Sequence, residues 1–319
     1  MRILVTGGAG FIGCNFIRSE IANYDDTIIC VDSLTYAGSL NNLKDVADNK
    51  NFKFIKADIT DEQAIDDIFK EYNPDIVVNF AAESHVDNSI NNPNIFTKTN
   101  IFGTQVLMNA CLKYKVKRFH QVSTDEVYGD LPLNSEKWCI ESAHIKPSSP
   151  YAVSKAAADL LALSYKRTYG LPITISRSSN NYGPYQNKEK LVPNAINCLL
   201  TGKKIPLYGN GLNKREWIHV DDNCKAIDLI VRKGREGEIY NISTNEEKTN
   251  LQVARAILAK MEMGEENIEF VEDRKGHDLK YSMSSNKLKQ ELGWKQEISF
   301  REGLISTIDW YLENKDFLK

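Results

Sequence analysis

Tyr151 and Lys155 stand four residues apart, and Thr124, Asp125 and Glu126 are consecutive a short way upstream. Positions i and i+4 lie one above the other on a helix face, so the phenol and the amine share one environment. A tyrosine titrates near ~10, and to act as a base near neutral pH its phenolate needs roughly 4 kcal/mol of extra stabilisation. An ammonium about 4 Å away at an effective dielectric of ~20 supplies an interaction of that order, and an oxidised nicotinamide would add to it. Lys155 is therefore expected to turn Tyr151 into a base. With Thr124, Asp125 and Glu126 are groups able to move protons or hold hydroxyls. Burial of Asp125 beside Glu126 is expected to raise the pKa of one of the two carboxyls. Tyr-x-x-x-Lys alone is often a surface pair, so the elements around it decide its meaning.

Those elements alternate. Residues 2 to 6 form an apolar strand that ends in Gly7-Gly8-Ala9-Gly10-Phe11-Ile12-Gly13 and continues as a helix from Cys14 to Tyr24. Gly8, Gly10 and Gly13 match G-x-G-x-x-G, which lets the backbone approach a pyrophosphate at the amino end of a helix. A second strand, Thr27 to Val31, is capped by Asp32. That carboxylate is placed to accept from adenosine ribose hydroxyls and would repel a 2′-phosphate, which favours NAD over NADP. A flavin- or nucleotide-binding protein using the same loop is the competing reading. Phe52 to Ala57 reads as a strand ending in Asp58, Asp61 to Tyr72 as a helix, and Asp75 to Phe80 as a strand ending in Ala81-Ala82-Glu83-Ser84-His85. A lone histidine such as His85 is more often a hydrogen-bonded loop residue than a base. A long helix follows from Phe96 to Tyr114, in which Asn100 and Thr104 are available to hold loops or cofactor. The strand Phe119 to Val122 then delivers the tip Ser123-Thr124-Asp125-Glu126, a loop covers Gly129 to Ser149, and the helix Tyr151 to Tyr169 carries the Tyr-Lys pair. Open α/β sheets bind ligands at the carboxyl ends of their strands, which is where this tip lies.

Pro172 to Ser176 is a further strand, after which regular alternation stops near residue 180. The fold expected is α/β, a Rossmann-type doubly wound parallel sheet with a smaller mixed α/β substrate-binding lobe. Its NAD-binding part spans 1–180 and is rejoined by 215–243, the strand Glu238 to Ile242 returning to the sheet; the lobe spans mainly 181–319. Lys190, Arg215 and Arg274 at turns of the lobe suggest recognition of a diphosphate. The tail from Ser299 to Leu318 reads as an amphipathic helix packing through Ile305, Ile308 and Leu312. The 319 residues suit one large α/β unit with an appended lobe. An apolar fraction of 42% with 26% charged residues describes an ordinary globular protein, and a net charge of -3 gives no footprint for nucleic acid or an anionic membrane. The six cysteines show no paired spacing, Met1-Arg2 leads straight into a strand, and no apolar run approaches a membrane span. A cytoplasmic location and no metal at the site are the expectations.

Six further motifs extend the glycine loop Thr6–Gly13. They are Ala81-Ala82-Glu83-Ser84-His85-Val86-Asp87, Ser123-Thr124-Asp125-Glu126-Val127-Tyr128-Gly129, Tyr151 to Lys155, Ser179-Asn180-Asn181-Tyr182-Gly183-Pro184-Tyr185-Gln186, Arg215-Glu216-Trp217-Ile218-His219-Val220-Asp221-Asp222 and Asp273-Arg274-Lys275-Gly276-His277-Asp278. Through them the whole chain resembles the extended short-chain dehydrogenase/reductases and, within that superfamily, the nucleotide-sugar 4,6-dehydratases acting on dTDP-glucose. Thr-Asp-Glu is the discriminating motif. The resemblance implies a lyase of deoxysugar and rhamnose biosynthesis, in which Tyr151 takes the 4-hydroxyl proton, Thr124 holds that hydroxyl, Glu126 takes the C5 proton and Asp125 protonates the departing 6-hydroxyl. It implies NAD contacts at Gly7, Gly10, Phe11, Ile12, Gly13, Asp32, Ser33, Leu34, Thr35, Asp58, Ile59, Ala81, Ala82, Glu83, Thr99, Tyr151, Lys155 and Asn181. Substrate contacts are implied at Ser84, Thr124, Asn180, Lys190, Leu191, Pro206, Leu207, Tyr208, Arg215, Asn250, Asp273, Arg274, Lys275, Gly276 and His277. A homodimer joined through the helices Phe96 to Tyr114 and Tyr151 to Tyr169 is also implied. The chain departs from the pattern in Asn88, where many relatives carry arginine, and in a rather short loop after Gly129. A UDP-glucose 4,6-dehydratase, a nucleotide-sugar 4-epimerase or decarboxylase, and a non-catalytic NAD-binding regulator are the alternatives; the epimerase or decarboxylase has no need of the Asp-Glu pair, and a regulator should have lost some of Thr124, Tyr151 and Lys155, none of which is lost.

Overall fold

Near-continuous apolar runs such as Ile3-Leu4-Val5 and Ile76-Val77-Val78 belong to parallel strands buried on both faces. The computed structural model describes residues 1–273 and 276–318. Its strands are β1 (Arg2–Thr6), β2 (Thr27–Asp32), β3 (Phe52–Lys56), β4 (Ile76–Asn79), β5 (Arg118–Thr124), β6 (Ile173–Ser178), β7 (Asn180–Tyr182), β8 (Ile205–Tyr208), β9 (Lys214–His219), β10 (Ile239–Ile242), β11 (Glu247–Thr249) and β12 (Ile268–Val271). Seven of them form the main sheet in the order β10-β6-β5-β4-β1-β2-β3. Every neighbouring pair in it is parallel. The order reverses between β1 and β4, and that switch opens a crevice at the carboxyl ends of the strands.

Side chains of successive strand residues point to opposite faces, so each strand feeds two cores. Ile3 and Val5 pack with Phe16 and Ile17 of the helix Phe11–Asn23 and with Ile227 and Ile230 of the helix Val220–Lys233. Leu4 packs on the other side with Ile65 and Phe69 of the helix Glu62–Tyr72, Leu107 of Thr104–Lys113 and Ala162 of Pro150–Tyr169. The strand expected at 238–242 is β10, which pairs with β6 and extends the sheet. The lobe between and beyond holds a three-stranded sheet, β11-β9-β7, and the pair β12-β8. Tyr182, Trp217, Ile257 and Ile308 are in its separate core.

Three local expectations change. The helix expected as continuous from Phe96 to Tyr114 carries a π-helical segment, Thr97–Gly103, between α-helical Pro93–Phe96 and Thr104–Lys113. The Thr104 hydroxyl donates to the Asn100 carbonyl at 2.7 Å, competing with the helical amides at that point. β5 runs two residues past Val122, so Ser123 and Thr124 lie within the sheet and Asp125–Tyr128 form one 3₁₀ turn at its tip. The tail helix is Phe300–Glu313, with a 3₁₀ turn over Lys315–Leu318. It buries Phe300, Leu304, Ile308 and Tyr311, while Ile305 is 36% exposed and faces away from the core. No helix among the described residues is long and apolar enough to cross a membrane, and all six cysteines are free.

Candidate active site

The glycine loop is shaped by two contacts that only hydrogen tolerates. Gly7 has a φ of +68°, and a Cβ there would stand 2.5 Å from the Ala81 nitrogen; one at Gly13 would stand 2.4 Å from the Gly7 carbonyl oxygen. The loop therefore lies flush between β4 and the first helix, whose amino end opens into the crevice. At the tip of β2, Asp32 accepts from the amides of Ala9 at 3.0 Å and Leu34 at 2.8 Å. Burial raises its pKa from the ordinary carboxylate value. One cleft is lined by Gly7, Gly10, Phe11, Ile12, Gly13, Asp32, Ser33, Thr35, Asp58, Ile59, Ala81, Ala82, Glu83, Thr99 and Asn181 of the expected cofactor residues. Leu34 does not line it and packs its side chain against the sheet core. Asn100, in the π-helical segment, takes the Glu83 amide at 2.8 Å and donates to the Glu83 carbonyl at 3.0 Å, clamping the Ala81–Glu83 loop. It also donates to Ser154 Oγ at 2.8 Å, which donates to the Tyr151 carbonyl at 2.7 Å. Tyr36, Asn187 and Glu189 close the mouth near Ser84 and were not singled out from sequence. Their loops have no periodicity, and only the position of Tyr36 just after the Asp32 strand gives a hint.

The inner end of the cleft holds Thr124, Asp125, Glu126, Tyr151 and Lys155. Ser149 caps the helix Pro150–Tyr169 by accepting from the Ala152 amide at 3.1 Å, and Pro150 occupies its first turn. Lys155 is buried and donates to the Val122 carbonyl at 2.6 Å. Burial pushes its ammonium down to about 8. The Tyr151 phenol is pushed up, first by burial and then by the Glu126 and Asp125 carboxylates, with the Thr124 hydroxyl opposing. The expected lowering of Tyr151 by Lys155 is thus not present in the protein alone. The amine is committed to β5, and two carboxylates act on the phenol instead.

Asp125 is 3% exposed. Its Oδ1 accepts from the Thr124 hydroxyl at 3.1 Å, and its Oδ2 has no hydrogen-bond partner among the described residues. Burial and then the neighbouring Glu126 charge push this carboxyl up to about 7, with Arg215 pulling the other way. Asp125 and Glu126 begin the 3₁₀ turn, and the Glu126 amide donates to Thr124 Oγ1 at 3.3 Å. The turn buries the Asp125 carboxyl at the inner end of the cleft beside that of Glu126.

Of the expected substrate residues, Ser84, Thr124, Asn180 and Lys190 line the same cleft. Lys190 Nζ reaches the Ser84 carbonyl at 3.4 Å. Leu191, Pro206, Leu207, Tyr208, Arg215, Asn250, Asp273, Gly276 and His277 do not line it. Arg215 lies 4.2 Å from the Tyr281 ring centre and donates to the Lys214 and Asp278 carbonyls at 2.7 and 2.8 Å. Leu207 is buried in the lobe core, and Tyr208 meets His277 edge-on at 6.0 Å, His277 in turn pairing with Asp273 at 2.6 Å. Leu191 and Asn250 are the first residues of two lobe helices. Arg274 and Lys275 lie outside the described residues. His85 caps the helix Val86–Asn91, its Nδ1 accepting from the Asn88 amide at 3.2 Å. Among the described residues no cluster of three or more His, Cys, Asp or Glu could hold a metal ion.

A dinucleotide cradle joined to a Tyr-Lys pair and an acid–base turn defines the class: a short-chain dehydrogenase/reductase-type enzyme equipped for elimination. The family model described as GDP-mannose 4,6 dehydratase matches residues 4–307. The chain is 44% identical over 320 residues to a dTDP-glucose 4,6-dehydratase of Streptomyces niveus, covering 99% of this chain and 94% of the relative. It is 47% identical to the low-salt glycan biosynthesis protein Agl12 of Haloferax volcanii, covering 98% and 99%. The solved dTDP-glucose 4,6-dehydratase of Streptomyces venezuelae, with NAD and dTDP bound, superposes with a TM-score of 0.97 at 45% identity over 100% of this chain and 99% of that one. The chain belongs to the nucleotide-sugar 4,6-dehydratase family, alongside the dTDP-glucose 4,6-dehydratases.

Proposed function

We propose that the protein converts dTDP-glucose to dTDP-4-keto-6-deoxy-glucose with NAD held at the crevice. The observation that carries this reading is the pair Asp125–Glu126 beside Thr124 and Tyr151, with one carboxyl buried and near-neutral in pKa. The residues fit the cofactor. Gly7 and Gly13 leave no room for a side chain where the loop meets β4, the first helix presents its amino end, and the Asp32 carboxyl ends β2 at the cleft, where it would accept from ribose hydroxyls. When bound, NAD supplies a hydride acceptor for C4 and a hydride donor for C6.

This chain's own residues handle the protons. Tyr151 accepts the 4-hydroxyl proton while Thr124 holds that hydroxyl. For Tyr151 to do so its phenolate must be favoured over the state described above, and the positive charges available for that are Lys155 and the oxidised nicotinamide ring. The 4-ketone acidifies C5, and Glu126 removes that proton. Asp125 gives its proton to the leaving 6-hydroxyl, which departs as water. Each general acid or base step contributes roughly 10²- to 10⁴-fold.

The NAD-binding part is assigned to 1–180 with 215–243, of which β9 pairs within the lobe sheet, and the nucleotide-sugar lobe to the remainder of 181–319. The assembly assigned is a homodimer through the helices containing residues 97–113 and 150–169, since Phe102, Val153 and Leu160 on them are exposed apolar side chains. The location assigned is the cytoplasm. The deciding experiment mixes purified protein, without added cofactor, with dTDP-glucose and separately with UDP-glucose, and follows the alkali-induced absorbance of a 4-keto-6-deoxy sugar. Product from the thymidine sugar at much higher kcat/KM is expected. Preference for the uridine sugar would move the nucleotide assignment, and no product from either after NAD is supplied would overturn the reading.

A further inference from the structure

Asp159 and Arg177 form a buried ion pair behind the acid–base turn, at 0% and 1% side-chain exposure, that none of the proton steps uses. Asp159 lies four residues after Lys155 on the helix Pro150–Tyr169, on the same face. Its Oδ2 accepts from Arg177 Nε at 3.0 Å and from the Ser123 hydroxyl at 3.0 Å. Ser123 and Arg177 are themselves cross-strand partners between β5 and β6. The Arg177 guanidinium also lies 4.8 Å from the centre of the Tyr128 ring, and the Tyr128 hydroxyl donates to Asn241 Oδ1 of β10 at 2.8 Å. Ser123 immediately precedes Thr124-Asp125-Glu126, and Tyr128 ends the turn that contains both carboxyls.

We propose that the Asp159–Arg177 pair is a positioning element for the dehydration step, fixing Ser123 before the acid–base turn and Tyr128 after it and so aiming the Asp125 and Glu126 carboxyls. A buried ion pair is a poor device for stability, because well-packed apolar residues in its place are often neutral or stabilising. What apolar residues cannot do is hold a hydroxyl and a ring in fixed directions on either side of a four-residue turn. Lys155 is tied directly to Val122, upstream of the bracket, and Asp159 reaches it only through charge, favouring its ammonium form. The pair therefore governs elimination more than oxidation at C4.

The proposal rests on the dehydratase reading, and the test separates the two. The variant D159L/R177M removes one charge of each sign, so the net charge of the buried layer is unchanged. With dTDP-glucose and bound NAD, its dehydration kcat is expected to fall roughly 10²-fold, the scale set by misplacement of about 1 Å. KM should stay close to wild type, the near-ultraviolet absorbance of reduced nicotinamide should develop with a clearly smaller loss than elimination because Asp159 acts on Lys155 by charge alone, and incorporation of solvent deuterium at C5 should fall with product. Equal losses in oxidation and elimination, or no loss in either, would overturn the proposal. S123A leaves the pair intact, cuts only the hydroxyl link and decides the matter should the double variant fail to fold. The same split at smaller amplitude supports the bracket, and unchanged elimination overturns it. Absence of product from the wild-type enzyme would instead remove the dehydratase reading itself.

Discussion

Asp125 and Glu126 are neighbours in the chain, but the turn at the end of β5 gives them different surroundings, and the chemistry depends on that difference. Asp125, held at about 7 by burial and then by Glu126, is protonated below that pH and can serve as an acid. Above it the proton is gone, so kcat for dehydration is expected to drop by about tenfold per pH unit on the alkaline side. Lys155, pushed down to about 8, loses its charge in the same direction. A pH profile of kcat checks this, and a rate that stays flat from neutral pH upward would place the acid elsewhere. Asp125→Asn and Glu126→Gln should each lower dehydration by roughly 10²- to 10⁴-fold while still reducing bound NAD in the presence of dTDP-glucose. Stopped-flow absorbance of reduced nicotinamide against product formation separates the two steps. That these side chains meet in one cleft was legible in sequence, because Thr-Asp-Glu follows a strand and precedes a Tyr-x-x-x-Lys helix. The tuning of Tyr151 was not, because spacing brings Lys155 near but does not reveal that its amine is committed to the Val122 carbonyl.

Two elements carry functional geometry through buried polar groups. His120 joins β5 to β6, its ring nitrogens lying 2.9 Å from Thr174 Oγ1 and 3.0 Å from Ser176 Oγ. Burial, with Arg118 adding to it, lowers its pKa to about 3. Its unfolded value is near ~6.5, so the unfolded chain binds a proton before the native one does. Stability is therefore complete above that value and is lost as pH falls from there toward about 3. His120→Leu should weaken the fold at neutral pH by roughly 1–3 kcal/mol through unpaired hydroxyls, yet flatten the acid loss, as urea midpoints across pH would reveal. Asn100→Ala in the π-helical segment removes both bonds to Glu83 and is expected to release NAD on gel filtration under conditions in which the wild type is expected to retain it. Strands β1, β2 and β4 could be read because double-faced burial forces apolar runs. The π-helical segment could not, since a change in hydrogen-bond register has no composition signature. The lobe strands β7 and β11 are three residues each, too short to show a period, and Ile305 was placed inward by spacing that Leu304, Ile308 and Tyr311 satisfy instead.

For the whole molecule, the exposed apolar residues on the helices flanking the site set the assembly prediction. Phe102 is 39% exposed and Leu160 55%, on neighbouring helices of one face. F102D/L160D is expected to convert a dimer to a monomer in sedimentation velocity, and an unchanged dimer would place the interface elsewhere. β10 carries a different consequence. β6 is buried along its whole length, and its outer neighbour in the sheet is a strand made only after β7, β8, β9 and the helix Val220–Lys233. During synthesis β6 is a bare sheet edge until residue 239 emerges, the kind of edge that recruits other chains. A gene fragment ending near residue 180 would therefore yield an aggregating product rather than a free-standing nucleotide-binding module. The lobe is stitched into the sheet by chain order, so neither half can be gained, lost or exchanged as a separate cassette.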